Sequence, residues 1–463
     1  MTSTKRIAIF IASSTLFMET IDATILTTAT PAISHSFSVS PLDLKFALIS
    51  YCITIAIFVP ASGWFADKYG AKKVLLISLA LFTLSSLLCG FSNNLIELSV
   101  ARALQGIGGS AMLPVSRLII LRVFEKHEII KAISYVAMIG ALGSMLGPIL
   151  GGVITQHVAW NWIFWANIPI GIIIGVIAHR ALPKMTPHVT TPLDIWGFLL
   201  FGVSIGIFTL GLLSLSESTL PLAMGLLLLL LSFILLAMYF LHSRTSLHPI
   251  IKTELFRFRS FRVSMIGNLT SRLGFGGIPF LLPILLQTGL NYSAQETGLL
   301  LAPWAIGILI AKPFTLRTIQ YFGYKRLLVT NTLLLTGSIW SFITINAHAS
   351  MYLVGCLTLI YGLLISLQYS GMNSLTYAEI PPDKLGPATS ILSTLQQLTL
   401  SFGVAITALF MRCFSSNMNT DLSLSTTSLH QTLFAMGVLT LLSTPIFLKL
   451  HVKDGRELLV KSI

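Results

Sequence analysis

Apolar segments of about twenty residues recur fourteen times along this chain, and that recurrence restricts its fold more than any other feature. They lie at roughly 7–28, 46–66, 74–92, 97–120, 129–154, 160–181, 194–214, 219–241, 262–287, 296–316, 326–345, 350–374, 386–411 and 430–450. Each is long enough, as a helix, to cross the hydrocarbon of a bilayer. Lipid offers no hydrogen bonds, so a segment inside it must satisfy its own backbone, and helices do this within one segment. Composition agrees: 54% of the 463 residues are hydrophobic and only 10% are charged. A soluble domain carries about 25% charged residues. The sequence therefore predicts an all-α membrane protein.

The net charge of +13 raises the question of a nucleic-acid partner, and the placement of the cations answers it. Against these spans, 23 of the 29 Lys and Arg residues fall on one side; only Lys45 and Arg412 fall on the other. The remaining four, Arg102, Arg117, Arg272 and Lys312, lie within spans. Such an asymmetry is the positive-inside rule, which puts both termini in the cytoplasm and leaves no need for nucleic acid. An even number of spans agrees. The first apolar stretch contains Glu19 and Asp22 and lacks a small-residue cleavage site, so it reads as a retained helix. The four cysteines show no paired spacing, and the ten histidines fall in loops or near span ends. Neither a disulfide framework nor a metal site is expected, and no cofactor is implied.

An internal echo organises the spans. Asp67-Lys68-Tyr69-Gly70-Ala71-Lys72-Lys73 follows the second span, and Gln320-Tyr321-Phe322-Gly323-Tyr324-Lys325-Arg326 follows the tenth. Gly70 and Gly323 are 253 residues apart, an interval that eight spans with short loops fill. Two six-helix halves with an inserted pair account for it. The expected divisions are 1–185 for the first half, 186–245 for the linking pair and 246–463 for the second half.

Several segments resemble the major facilitator superfamily. Gly63 through Lys73 looks like its signature loop between helices two and three, and Arg102-Ala103-Leu104-Gln105-Gly106 resembles its fourth-helix motif. Gly140 through Gly152 resembles the fifth-helix motif associated with antiport. Leu16 to Pro31, centred on Asp22, is similar to the first-helix motif of the fourteen-span drug:proton antiporters. His248-Pro249-Ile250 leading to Phe256-Arg257, and Gln287 to Pro303, look like the second half of that class. The chain departs from the family at Trp160-Asn161-Trp162, where Trp-Arg-Trp is frequent, and at Thr27 and Thr28. The resemblance implies a proton-coupled exporter of drug-like compounds working by alternating access, with substrate between the halves. The alternative is an exporter or importer of a small anionic metabolite or metal chelate, of citrate or siderophore type. The absence of a cleaved signal and the compact loops point to a bacterial inner membrane, and the expected partners are lipid, protons and a small-molecule substrate, with the chain a monomer.

The residues give these motifs chemistry of their own. Gly63 and Gly70 permit close helix approach and a tight turn, and Asp67 can cap a helix or pair with a cation beside Lys68, Lys72 and Lys73. Gly143, Gly147 and Gly151 recur every four residues and make a small-residue seam; Pro148 and Gly152 flank it, with Pro148 removing one hydrogen bond of the ladder. Intramembrane charge is costly and marks function. Glu19 and Asp22, three residues apart, share a helix face. Asp22 and Arg102 lie six and five residues from the outer ends of oppositely running spans, a depth at which they can pair. Arg272, near mid-membrane in span nine, is placed to hold an anionic group, to balance Glu19 or to bond carbonyls freed near Pro279. Arg117 and Lys312 lie nearer the cytoplasmic ends, where snorkelling explains them. Asn268, Gln287, Gln368, Gln396 and Gln397 are polar candidates to line a pathway. An enzyme would need a catalytic constellation in the bilayer, and no H-E-x-x-H or Walker A pattern is present.

Overall fold

The structure, a computed structural model, describes residues 3–124, 126–183, 192–216, 221–246, 249–346, 349–381, 384–415, 425–451 and 454–455. His248 of the second-half motif and the cations Lys184, Lys453, Arg456 and Lys461 lie outside the described residues. Every regular element among the described residues is helical. The long helices are α1 (Ser3–Phe37), α2 (Lys45–Tyr69), α3 (Ala71–Phe91), α4 (Leu95–Val123), α5 (Lys126–His157), α6 (Asn167–Ala181), α7 (Ile195–Ser216), α8 (Leu222–Thr245) and α9 (Arg259–Phe275). A run over Ala294–Ser341 follows, broken at Gly323 into α10 (294–322) and α11 (324–341). The last three are α12 (Met351–Leu375), α13 (Leu385–Ser415) and α14 (Thr426–Leu441). Among the described residues thirteen spans are long and apolar enough to cross a membrane, and α5 is a further helix of 32 residues.

Three elements differ from the sequence reading in instructive ways. α1 continues to Phe37, well beyond the apolar stretch, and the helix accommodates buried Ser34 by taking its hydroxyl onto the Pro31 carbonyl. Span nine is discontinuous: α9 stops at Phe275, a short helix resumes at Ile278–Ile284, and a π-turn closes it at Leu285–Gly289. At the break Gly277 lies close against α13, where a Cβ would collide with Thr407 and the Gly403 carbonyl. α5 runs through Pro148 without losing its helix, so the missing donor there does not divide it.

The echo seen in sequence is also an echo in backbone. Gly70 joins α2 to α3 at φ 87°, and Gly323 joins α10 to α11 at φ 71°. Both occupy the positive-φ region that glycine enters without the penalty a Cβ brings.

The chain forms two compact units, Met1–Leu199 with Ser293–Leu299, and Leu200–Tyr292 with Leu300–Ile463. In the first, α1 lies along α5. Leu16, Thr20, Thr24 and Thr28 occupy successive turns of α1 opposite Gly140, Gly143, Gly147 and Gly151. A Cβ on any of these glycines would overlap the facing side chain, so the seam exists because the glycines have none. Thr20 and Thr24 donate their hydroxyls to carbonyls of their own helix, which satisfies both donors along the contact. In the second unit α9 packs against α13 and α14, and Phe208 of α7 meets Phe402 of α13 at 4.7 Å between ring centroids.

Candidate functional site

Asp22 and Arg102 form an ion pair at 2.5 Å, both fully buried, inside the first unit. Their similar depths on oppositely running helices bring the two side chains face to face. Asp22 Oδ1 also accepts from Gln105 Nε2 and from Asn167 Nδ2, each at 2.9 Å. Gln105 is fixed in turn, accepting from Arg102 Nη1 at 2.6 Å and donating to Ser86 Oγ at 2.8 Å. The Arg102 guanidinium lies 4.1 Å from the Tyr51 ring centroid, a cation–π contact. Five helices thus contribute to one polar knot: Asp22 from α1, Tyr51 from α2, Ser86 from α3, Arg102 and Gln105 from α4, and Asn167 from α6.

The knot is not closed. Arg102 Nε and Nη2, the Tyr51 hydroxyl and Glu19 Oε2 are buried without a hydrogen-bond partner. Buried polar atoms are nearly always paired, because each orphan forfeits its hydration. Four orphans around one ion pair mark a place that can accept solvent, a proton or a ligand group. Glu19 sits one turn from Asp22, only 9% exposed, within electrostatic range of Asp22 and Arg117. Snorkelling is therefore an incomplete account of Arg117: its charge acts on Glu19.

Arg272 occupies the second unit in a different setting. Its Nε donates to Asn268 Oδ1 at 2.9 Å, and Nη2 reaches Asn373 Oδ1 at 3.5 Å. Gln396 donates to the same Asn373 oxygen at 3.1 Å. The guanidinium lies 4.1 Å from the Tyr369 ring centroid, which repeats the Arg102–Tyr51 arrangement. No ion pair to Arg272 is formed among the described residues. Among the described residues its side-chain hydrogen bonds go to the amides of Asn268 and Asn373, not to carbonyls near Pro279. Gln368, a candidate pathway residue, is instead tied to Asn331 and Thr332 at 2.8 and 3.0 Å.

At the junction of α2 and α3, Asp67 pairs with Arg122 of α4 at 2.9 Å, which selects the cation-pairing reading. Lys68 lies over the Trp64 ring at 4.5 Å, Lys72 donates to the Leu182 carbonyl at 2.6 Å, and Lys73 is exposed. Gly63 corrects the expectation of close approach. It is exposed, and a Cβ there would meet nothing within 4 Å, because the packed face of this last stretch of α2 falls on Ser62 and Ala66. Gly152 abuts the Ala294 carbonyl and Pro148 abuts Gly298, both within the first unit. Among the described residues no group of His, Cys, Asp and Glu is placed to hold a metal.

The model of the family described as the Major Facilitator Superfamily matches residues 12–404. This chain belongs to the major facilitator superfamily. Curated relatives agree: proteins named "Putative multidrug resistance protein MdtD" from Escherichia coli O157:H7 and Escherichia fergusonii are 36% and 35% identical. Each alignment covers 93% of this chain and 92% of the relative. Among solved structures, a D-xylose–proton symporter superposes with a TM-score of 0.71 at 14% identity, over 98% of this chain and 99% of the other. A bacterial homologue of the human lysosomal transporter Spinster gives 0.68 at 13% identity, over 98% of both chains. At such identities the likeness is one of fold. As a superfamily member the chain is a multi-pass membrane transporter and not an enzyme.

Three residues of the knot, Ser86, Gln105 and Asn167, escape a reading of sequence. Gln105 stands three residues after Arg102, a spacing that shares a face, and that is the available signal. Asn167 carries none, being a lone amide that only the fold brings to Asp22.

Proposed function

We propose that this chain exports small drug-like molecules across a bacterial inner membrane in exchange for protons, as a monomer. The observation that carries the reading is the buried Asp22–Arg102 pair with Glu19 beside it holding a partnerless oxygen. A carboxyl that changes proton occupancy inside the bilayer needs a cation to release it and a route for the proton, and Arg102 with the orphan atoms supports both. The names of the MdtD relatives support the drug-like cargo. Two six-helix halves at 1–185 and 246–463, joined by a linking pair at 186–245, would alternate access to the substrate. The Asp67–Arg122 pair would then bias the cycle at the cytoplasmic side, and the α1–α5 seam would restrict leak.

Purified protein in liposomes holding a pH-sensitive dye tests this reading. Candidate drugs should dissipate an imposed proton gradient, and the Asp22→Asn protein should not. An Asp22→Asn protein that moves protons with substrate as wild type does would sink it. One observation favours a second cargo: Arg272 stands in the membrane with neutral amides and a tyrosine ring for company. A small anion such as citrate or a metal chelate would supply its missing counter-charge. Gradient dissipation by citrate, lost in Arg272→Gln, would select that cargo.

A further inference from the structure

A cavity of about 730 Å³ opens at the Lys- and Arg-rich end of α8, and no residue of the ion-pair site lines it. Its wall is built from the last turns of α8 and the segment after it: Phe240, Arg244 and Ser246, then Lys252, Glu254 and Arg257. Three cations from separate stretches therefore converge on one space. None of Arg244, Lys252 or Arg257 forms an ion pair among the described residues. The one carboxylate in this wall, Glu254, is turned to Lys384 at 3.2 Å and does not neutralise them.

The helix C-terminus explains Arg244 alone, whose charge suits the carbonyl end of α8. It does not explain Lys252 and Arg257, which arrive from a loop and a 3-10 turn. Guanidinium and ammonium groups around a polar hollow suit phosphate oxygens, which accept several charge-assisted bonds at once.

The surface leading to the cavity identifies what brings the phosphate. α8 is the least buried of the apolar spans, with 17% of its most apolar window covered. Leu227, Leu230, Phe233, Ile234 and Leu241 are each at least half exposed, and Phe240 at the cavity wall is 45% exposed. An apolar strip thus ends in a cluster of cations at membrane-interface depth. That sequence of surfaces matches a phospholipid, acyl chains along α8 and phosphate among the cations.

We propose that this cavity is a binding site for the phosphate headgroup of an anionic phospholipid. It spans the boundary between the expected linking pair and the expected second half, and none of the coupling residues lines it.

Native mass spectrometry of the purified full chain, titrated with phosphatidylglycerol, tests it. Phosphatidylcholine and inorganic phosphate form separate arms. One phosphatidylglycerol should be retained preferentially, and the combined Arg244→Gln, Lys252→Gln, Arg257→Gln protein should weaken that binding at least about tenfold. A control protein with Arg262, Arg317 and Arg326 changed to Gln loses the same charge at exposed positions elsewhere and should bind as wild type. Lys252→Gln alone, on a loop outside every long helix, should lose about threefold or more if the triple variant fails to fold. Equal losses in the cavity and control proteins would overturn the site. Retention of phosphatidylcholine as tight as phosphatidylglycerol would overturn the anionic lipid, and so would inorganic phosphate binding as tightly by itself.

Discussion

At the scale of single residues, the outcome turns on what a buried charge is given. Asp22 receives a guanidinium and two amide donors, whereas Glu19 keeps an oxygen with nothing to accept from. Removing one member of a buried pair leaves the other as an uncompensated charge, which costs roughly 3–5 kcal/mol. Asp22→Ala is therefore expected to lower thermal stability in detergent sharply, and Arg102→Met with Asp22→Leu should recover much of it. A double variant no more stable than Asp22→Ala would deny that the pair is a buried ion pair. The pairing is legible in sequence because two charges on oppositely running spans at one depth have few alternatives in lipid. Asn167 is not, since one amide in an apolar span is compatible with many neighbours. Arg117 resists the same reading, because nearness to a span end does not say which way a side chain leans.

At the scale of elements, the glycines separate into those that allow contact and those that allow a turn. The seam of α5 against α1 belongs to the first kind, and its four-residue period is visible in the sequence alone. Its partner is not, because threonines at 20, 24 and 28 look like ordinary polar content of a transporter helix. Gly147→Ala should cost about 1–3 kcal/mol of stability through overpacking on Thr24. Combining it with Thr24→Ala should give a coupling energy of about 0.5–3 kcal/mol in a double-mutant cycle read by thermal unfolding. Additive effects would show that the two residues do not touch. The signature loop holds the second contrast. Gly70→Ala meets a backbone at φ 87° and should destabilise by about 1–3 kcal/mol. Gly63→Ala has open space before it and should stay within about 0.5 kcal/mol of wild type. The reverse order would contradict the assignment of these two glycines. The break in span nine leaves no trace in hydropathy for a related reason. Hydropathy reports solvent, and a helix that stops at Phe275 and resumes at Ile278 stays in the same solvent throughout.

At the scale of the whole molecule, the repeated glycine turns at Gly70 and Gly323 and the Arg–Tyr stacks at Arg102 and Arg272 give the two units related designs with different local charge around the arginine. The first unit brings two carboxyls near two guanidiniums. The second holds Arg272 among neutral amides. Such a division suits a transporter in which one unit handles the proton and the other meets cargo. The proposed exchange, with the proton carried by Glu19 and Asp22, is tested most directly on purified protein in weakly buffered detergent with a pH electrode. Addition of a transported compound should release protons from wild type, and the Glu19→Gln, Asp22→Asn double variant should bind the compound and release none. Proton release from the double variant equal to that of wild type would contradict the account.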